Sequence, residues 1–216
     1  MSKIFIVSAA GFEITPIKNK IKKSVCFEHC GIGSLNAAMS KTRLQNTLSQ
    51  QTVLFLGSCG SFYPFKKIEL VTCESVYWLP PCERLAASWS IEGLHPPIRL
   101  KKSNSFFTDL APKHVITSPT IAKTSTLPTH LSDHYDHNQC VENLELYPVV
   151  QYLLPVVKCM HVILAVTNEL CEQGRVQWKQ NHREAAELTC EYLLSKSYFW
   201  DQINHNPETQ KELHGV

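Results

Sequence analysis

The sequence predicts a single-domain α/β three-layer sandwich, with a central mixed twisted sheet flanked by helices, on three observations. Short apolar runs rich in β-branched and aromatic residues recur along the chain, and segments with helical spacing lie between or after them. The third is size: 216 residues, 44% apolar and 19% charged, are enough to bury one substantial core. The domain is expected over residues 1–200, followed by a polar tail at 201–216.

The first strand is read at 4–9, where the run IFIVSA is mostly apolar, and a second at 23–28. A helix follows over 34–49, beginning after a glycine pair, and then the apolar strand 52–57. A long β-branched run over 68–78 gives the next strand. Residues 80–137 are rich in Pro, Ser, Thr and His and lack sustained periodicity, so they read as long loops around one strand at 114–117. Helical spacing returns over 141–154, a buried strand is expected at 161–167, and a last helix at 182–197. Strands that are apolar on both faces suit a sheet covered on both sides.

Charge and cysteine content narrow the function classes. Lys and Arg total 21 against 19 acidic residues, a formal charge of +2, with no basic block of the kind that condenses on nucleic acid or anionic lipid. The Lys-Lys pairs at 22–23, 66–67 and 101–102 read as solvated surface. Nine cysteines without framework spacing suit buried thiols in a reducing compartment, which points to the cytoplasm. The N-terminal run has neither the length nor the cleavage pattern of a signal peptide, and no apolar run approaches a membrane span.

Five short segments could supply chemistry. In Ala9-Ala10-Gly11-Phe12-Glu13 a carboxylate arrives just past the first strand, at the edge where open α/β sheets hold ligands; the plainer alternative is a surface glutamate in a first helical turn. Gly31-Ile32-Gly33-Ser34-Leu35-Asn36 is a tight strand-to-helix turn with outward amides, but it lacks the last glycine and the distant acid of a dinucleotide fingerprint. Gly57-Ser58-Cys59-Gly60-Ser61 offers small polar groups at a strand end, and Ser58 lacks the nucleophile-elbow context. In Val141-Glu142-Asn143-Leu144-Glu145 two carboxylates lie three residues apart at a helix start, where one of them needs no more than the dipole to explain it. Ala165-Val166-Thr167-Asn168 puts an amide at a strand end, ahead of Gly174-Arg175 and Trp178, where a turn role is the alternative. His130, Asp133, His134, Asp136, His137 and Cys140 are dense in ligand types but match no closed zinc spacing, and Cys26, His29 and Cys30 read as a strand and its exit. No metal or organic cofactor is expected.

Taken in order, these five segments resemble the nucleoside phosphorylase and nucleosidase superfamily, to which methylthioadenosine/adenosylhomocysteine nucleosidase and futalosine hydrolase belong. The resemblance runs from Lys3 to about Leu194. It implies that Glu13 is the carboxylate that activates water, Glu145 the one that binds the ribose hydroxyls, Leu144 the apolar residue beneath the sugar, and Ser58 part of the ribose-side loop. Gly33 falls in the substrate-binding turn. Asn168 stands where the nucleosidases have an aspartate that protonates the purine. Futalosine hydrolases resemble this chain there, and Gly174-Arg175 and Trp178 also look like that branch. The function implied by this resemblance is that of a purine-nucleoside N-glycosidic hydrolase acting on futalosine or its 6-amino relative in menaquinone biosynthesis, with methylthioadenosine/adenosylhomocysteine nucleosidase or a catalytically silent nucleoside binder as alternatives. The family likeness also implies a homodimer and suggests Arg175 as the cation for a substrate carboxylate. Phosphorylases carry an arginine where this chain has Phe55, which favours water as nucleophile. The chain departs from the family in Leu146-Tyr147-Pro148, where small residues are usual.

Overall fold

The computed structural model describes residues 4–21, 25–79, 97–100, 106–197 and 199–200. Its elements are β1 (Ile4–Ser8), α1 (Gly11–Lys20), β2 (Val25–His29), α2 (Ser34–Met39), α3 (Lys41–Leu48), β3 (Thr52–Ser61), β4 (Glu69–Trp78), β5 (Ile98–Arg99), β6 (Ala111–Thr117), α4 (Thr129–Ser132), β7 (Cys140–Glu142), α5 (Leu146–Leu153), β8 (Cys159–Glu169) and α6 (Gly174–Ser195). The 201–216 tail and two of the three Lys-Lys pairs fall outside the described residues; Lys66 and Lys67 are exposed.

All eight strands of the described residues join one mixed sheet. β2, β1 and β3 run parallel in that order, with Ile4 of β1 level with Val25 and Thr52. Alternation then sorts the side chains by face. Ile4, Ile6, Leu54, Leu56 and Ile163 pack with Ile14 and Ile17 of α1 and Cys190 and Leu193 of α6. Phe5, Val7, Val53 and Phe55 point the other way, onto Ala37, Leu44 and Leu48 of α2 and α3 and onto α5. Burying each such aliphatic side chain contributes about 1.5–3 kcal/mol, which is why the pattern of this wing was readable.

The other half of the sheet is not the open central layer that the sequence predicts. β3 pairs with β8, β8 with β4, β4 with β6, β6 with β7, and β7 returns to β3, closing a five-stranded barrel. The cause is the length of β3. Its first half, Thr52–Leu56, is paired with β1, whereas Gly60 and Ser61 extend past β1 and offer the same edge to Glu142 and Val141 of β7. Leaving that edge bare would strand backbone donors and acceptors.

Other boundaries moved for local reasons. The 34–49 helix is two helices that meet at Ser40, whose hydroxyl bonds the Ala37 carbonyl at 2.7 Å and Tyr152 Oη at 2.8 Å, competing with the helical ladder. The helix expected over 141–154 starts only at Leu146, because 140–142 is the barrel strand β7. α6 begins eight residues before the expected 182, at Gly174. Residues 57–61 are not a loop but the second half of β3. Among the described residues no helix is long and apolar enough to cross a membrane, and all eight described cysteines are free thiols.

Candidate active site

A cavity of about 420 Å³ opens where β1, β3 and β8 deliver their C-terminal ends, and Glu13, Ser58, Leu144, Glu145, Asn168 and Arg175 all line it. Each arrives by a separate local device.

Glu13 sits in the first turn of α1, where Ala10 has no side chain able to cap. Its own carboxylate does so, Oε2 accepting from Ala10 N at 3.1 Å, while Oε1 accepts from Ser58 N of β3 at 3.2 Å. One side chain therefore links helix start and strand. Burial raises its pKa from 4.5 to about 7 and the charge of Glu145 adds to this, against the lowering effect of the Ala10 and Ser58 amides. Such a carboxyl is poised between acid and base near neutrality.

Glu145 is buried at the N-cap of α5, and Oε1 accepts from Gly33 N at 2.7 Å. Gly33 has φ +83°, a left-handed conformation in which a side chain is strained, and this conformation aims its amide at the carboxylate. Gly33 does not line the cavity; it acts through Glu145, and its neighbour Ile32 is the residue exposed there. Burial raises the pKa of Glu145, opposed by the Gly33 amide.

Asn143 builds the turn that presents Glu145. Its Oδ1 accepts from Glu145 N at 3.1 Å and Leu146 N at 2.8 Å, and its Nδ2 donates to the Ser58 carbonyl at 3.0 Å. Tyr147 N donates to Thr117 Oγ1 at 3.1 Å, and Val149 N closes onto the Glu145 carbonyl at 3.3 Å. Pro148, between them, stands in the first turn, where the missing N–H would have had no intrahelical partner. The Leu146-Tyr147-Pro148 departure thus leaves the helix intact.

Asn168 owes its direction to a bulge. Cys59 is level with Val166 but Gly60 is level with Asn168, so Thr167 is the extra residue of the bulge, level with no residue of β3, and only its hydroxyl reaches that strand, at the Cys59 carbonyl 3.3 Å away. The Thr167 carbonyl accepts from Asn181 Nδ2 of α6 at 2.7 Å, and its hydroxyl donates to Asn168 Oδ1 at 3.0 Å. Asn168 Nδ2 donates to the Glu169 carbonyl at 3.1 Å, and the amide's second hydrogen has no hydrogen-bond partner among the described residues. Gly60 and Gly174 leave no room for a side chain: an added Cβ would come within 2.5 Å of Leu170 Cδ2 and 2.9 Å of Asn168 Nδ2 at Gly60, and within 2.6 Å of the Glu169 carbonyl oxygen and 3.2 Å of Asn168 Nδ2 at Gly174.

α6 supplies the last wall. Trp178 Nε1 donates to Ser58 Oγ at 3.0 Å, fixing the hydroxyl; its ring stacks on His182 at 5.0 Å and meets Phe12 edge-on at 5.8 Å. Arg175 is exposed at the rim.

The five motifs therefore converge, as do their named residues apart from Gly33. Sequence reasoning gave no role to Asn143, which lies two residues before the N-cap Glu145 and caps from outside the helix, and none to Ile121, an exposed apolar residue of the cavity wall that no local pattern marks. Glu142 is not a helix-start carboxylate but the buried end of β7. Among the described residues no group of three or more His, Cys, Asp or Glu side chains converges as a metal site.

No family model matches the sequence, and no curated protein matches it. Solved structures do. A futalosine hydrolase mutant of Helicobacter pylori is similar at TM-score 0.71 and 15% identity, over 91% of this chain and 99% of that one. A mutant methylthioadenosine/adenosylhomocysteine nucleosidase of the same organism, with 5'-methylthioadenosine in its active site, is similar at TM-score 0.71 and 16% identity, over 91% and 98%. The corresponding nucleosidase of Campylobacter jejuni is similar at TM-score 0.67 and 16% identity, over 91% and 99%. At such identities what the likeness establishes is architecture: the chain has the mixed α/β fold of the futalosine hydrolases and methylthioadenosine nucleosidases.

Proposed function

We propose that this protein hydrolyses the N-glycosidic bond of a purine nucleoside. The observation that supports it most is the pairing of Glu13 and Glu145 across one cavity, each held by a backbone amide and each shifted toward the protonated form by burial. In this reading Glu13 takes a proton from water as its oxygen bonds the anomeric carbon, and Glu145 receives the ribose hydroxyls. The bond from that carbon to the base nitrogen breaks, and its electron pair leaves with the base. Asn168 donates a hydrogen bond to the departing purine, which then takes its proton from solvent, since an amide has no acidic one to give. Leu144 packs beneath the sugar. Phe55, where an anion-binding arginine would stand, is fully buried in the core, so water is the nucleophile of this proposal.

Within that class the reading is futalosine or 6-amino-6-deoxyfutalosine as substrate, in menaquinone biosynthesis, supported by Asn168 and the Gly174-Arg175 and Trp178 sequence. Arg175, which lines the cavity and has no ion pair among the described residues, is read as the cation for a substrate carboxylate. The protein is read as a cytoplasmic homodimer: its described cysteines are free thiols, and Leu35 and Met39 of α2 leave an apolar stripe, continuous with Ile32 at the cavity rim, 60–75% exposed. The test is chromatographic detection of base release from futalosine, aminodeoxyfutalosine, methylthioadenosine, adenosylhomocysteine and inosine, with and without phosphate. Phosphate-independent release from the futalosine pair is expected. Preference for methylthioadenosine would assign the chain to the nucleosidases, and no release from any substrate would leave a silent binder.

A further inference from the structure

One buried carboxylate in the cavity wall has no part in that reaction. Glu142, 4% exposed, ends β7 and lines the cavity. Its Oε1 accepts from Ser118 Oγ at 3.0 Å and its Oε2 from Ala122 N at 3.0 Å. Those two groups are the ends of the short loop that follows β6. Both ends are buried, Ser118 at 0% and Ala122 at 5%, while the residues between them are exposed. The Ser118 hydroxyl shares its one hydrogen between Glu142 Oε1 and the Thr120 carbonyl, 2.6 Å away, which tightens the turn from within. The turn projects Ile121, 54% exposed, into the same cavity that holds Asn168 and Leu170. An exposed isoleucine on a short loop is a poor wall unless the loop is held, and the bidentate clasp holds it.

We propose that Glu142 is a positioning residue that clamps the 118–122 loop so that Ile121 forms the apolar face against which the purine base lies. A carboxylate suits the task better than an amide because it accepts at both oxygens, and burial makes the two bonds strong. Glutamine still serves, since its oxygen accepts from Ala122 N while its nitrogen donates to Ser118 Oγ. Alanine cannot, and it leaves a buried backbone amide unpaired.

The proposal rests on the nucleoside reading of the cavity, so its test is separated from turnover. Adenine is titrated calorimetrically into the wild-type chain and into Glu142→Ala, Glu142→Gln, Ile121→Ala and the Glu142→Ala/Ile121→Ala double variant. Losing the apolar contact should weaken adenine binding about tenfold in Ile121→Ala. Glu142→Ala should match it, Glu142→Gln should stay within about threefold of wild type, and the double variant should be no weaker than either single one. Multiplying losses in the double variant, or Glu142→Ala binding like wild type, would overturn the clamp while leaving the hydrolase reading untouched. If Glu142→Ala fails to fold, Ser118→Ala removes one of the two bonds and should weaken binding when Ile121 is present but not in the Ile121→Ala background. A wild-type chain that neither binds adenine nor releases base would remove both proposals together.

Discussion

At the scale of the residue, the site turns on a carboxyl held near neutral pKa. Because burial raises Glu13 from 4.5 to about 7, the folded chain holds a proton between those values that the unfolded chain has released. The stability tied to this group is therefore full below pH 4.5 and is lost as pH rises through about 7. Glu13→Gln, which mimics the protonated form, should gain melting temperature relative to wild type at about pH 8 and gain little at about pH 5, as paired thermal scans would read. The same variant should lose roughly a hundredfold or more in turnover, and the wild-type rate should rise through an acid limb near pH 7. A Gln variant with wild-type turnover removes Glu13 from the mechanism. Glu13 and Asn168 were legible as candidates because polar side chains follow apolar strand runs there, and Glu145 because it is one of two carboxylates at a helix start. Their amide partners, Ser58 and Gly33, lie 45 and 112 residues away along the chain and have no signature that reveals the pairing.

Elements were legible where burial alone decides them. β1 and the first half of β3 announce themselves by apolar runs. The second half of β3 does not, because Gly57, Ser58, Cys59, Gly60 and Ser61 have the composition of a loop and are strand only through pairing with β7 and β8. The start of α5 was likewise masked, since its signal is the Asn143 side chain and not a hydrophobic period. Replacing Asn143 by Ala removes the acceptor for two helix-start amides and should cost about 0.5–2 kcal/mol. In a chain of this size that lowers the melting temperature by about 2–4 °C per kcal/mol. A variant melting with the wild type would show that water serves those amides equally well.

For the whole molecule, the helices on both faces of the β1–β3 wing follow from alternation, whereas barrel closure depends on one strand outrunning its neighbour, a length that composition does not report. The exposed Ile32, Leu35 and Met39 belong to this scale too. If a second copy covers them, light scattering on the eluting protein should give twice the 24.5 kDa chain mass, and Leu35→Asp should halve it; a wild-type monomer sinks the dimer. β3 is shared, paired along one edge first with β1 and then with β7, and along the other with β8. Wing and barrel therefore cannot loosen independently at the strand that bears Ser58. Amide hydrogens of β1 and of β7, on opposite sides of that junction, should exchange with solvent together, and a molecule seated against Ser58 slows both at once.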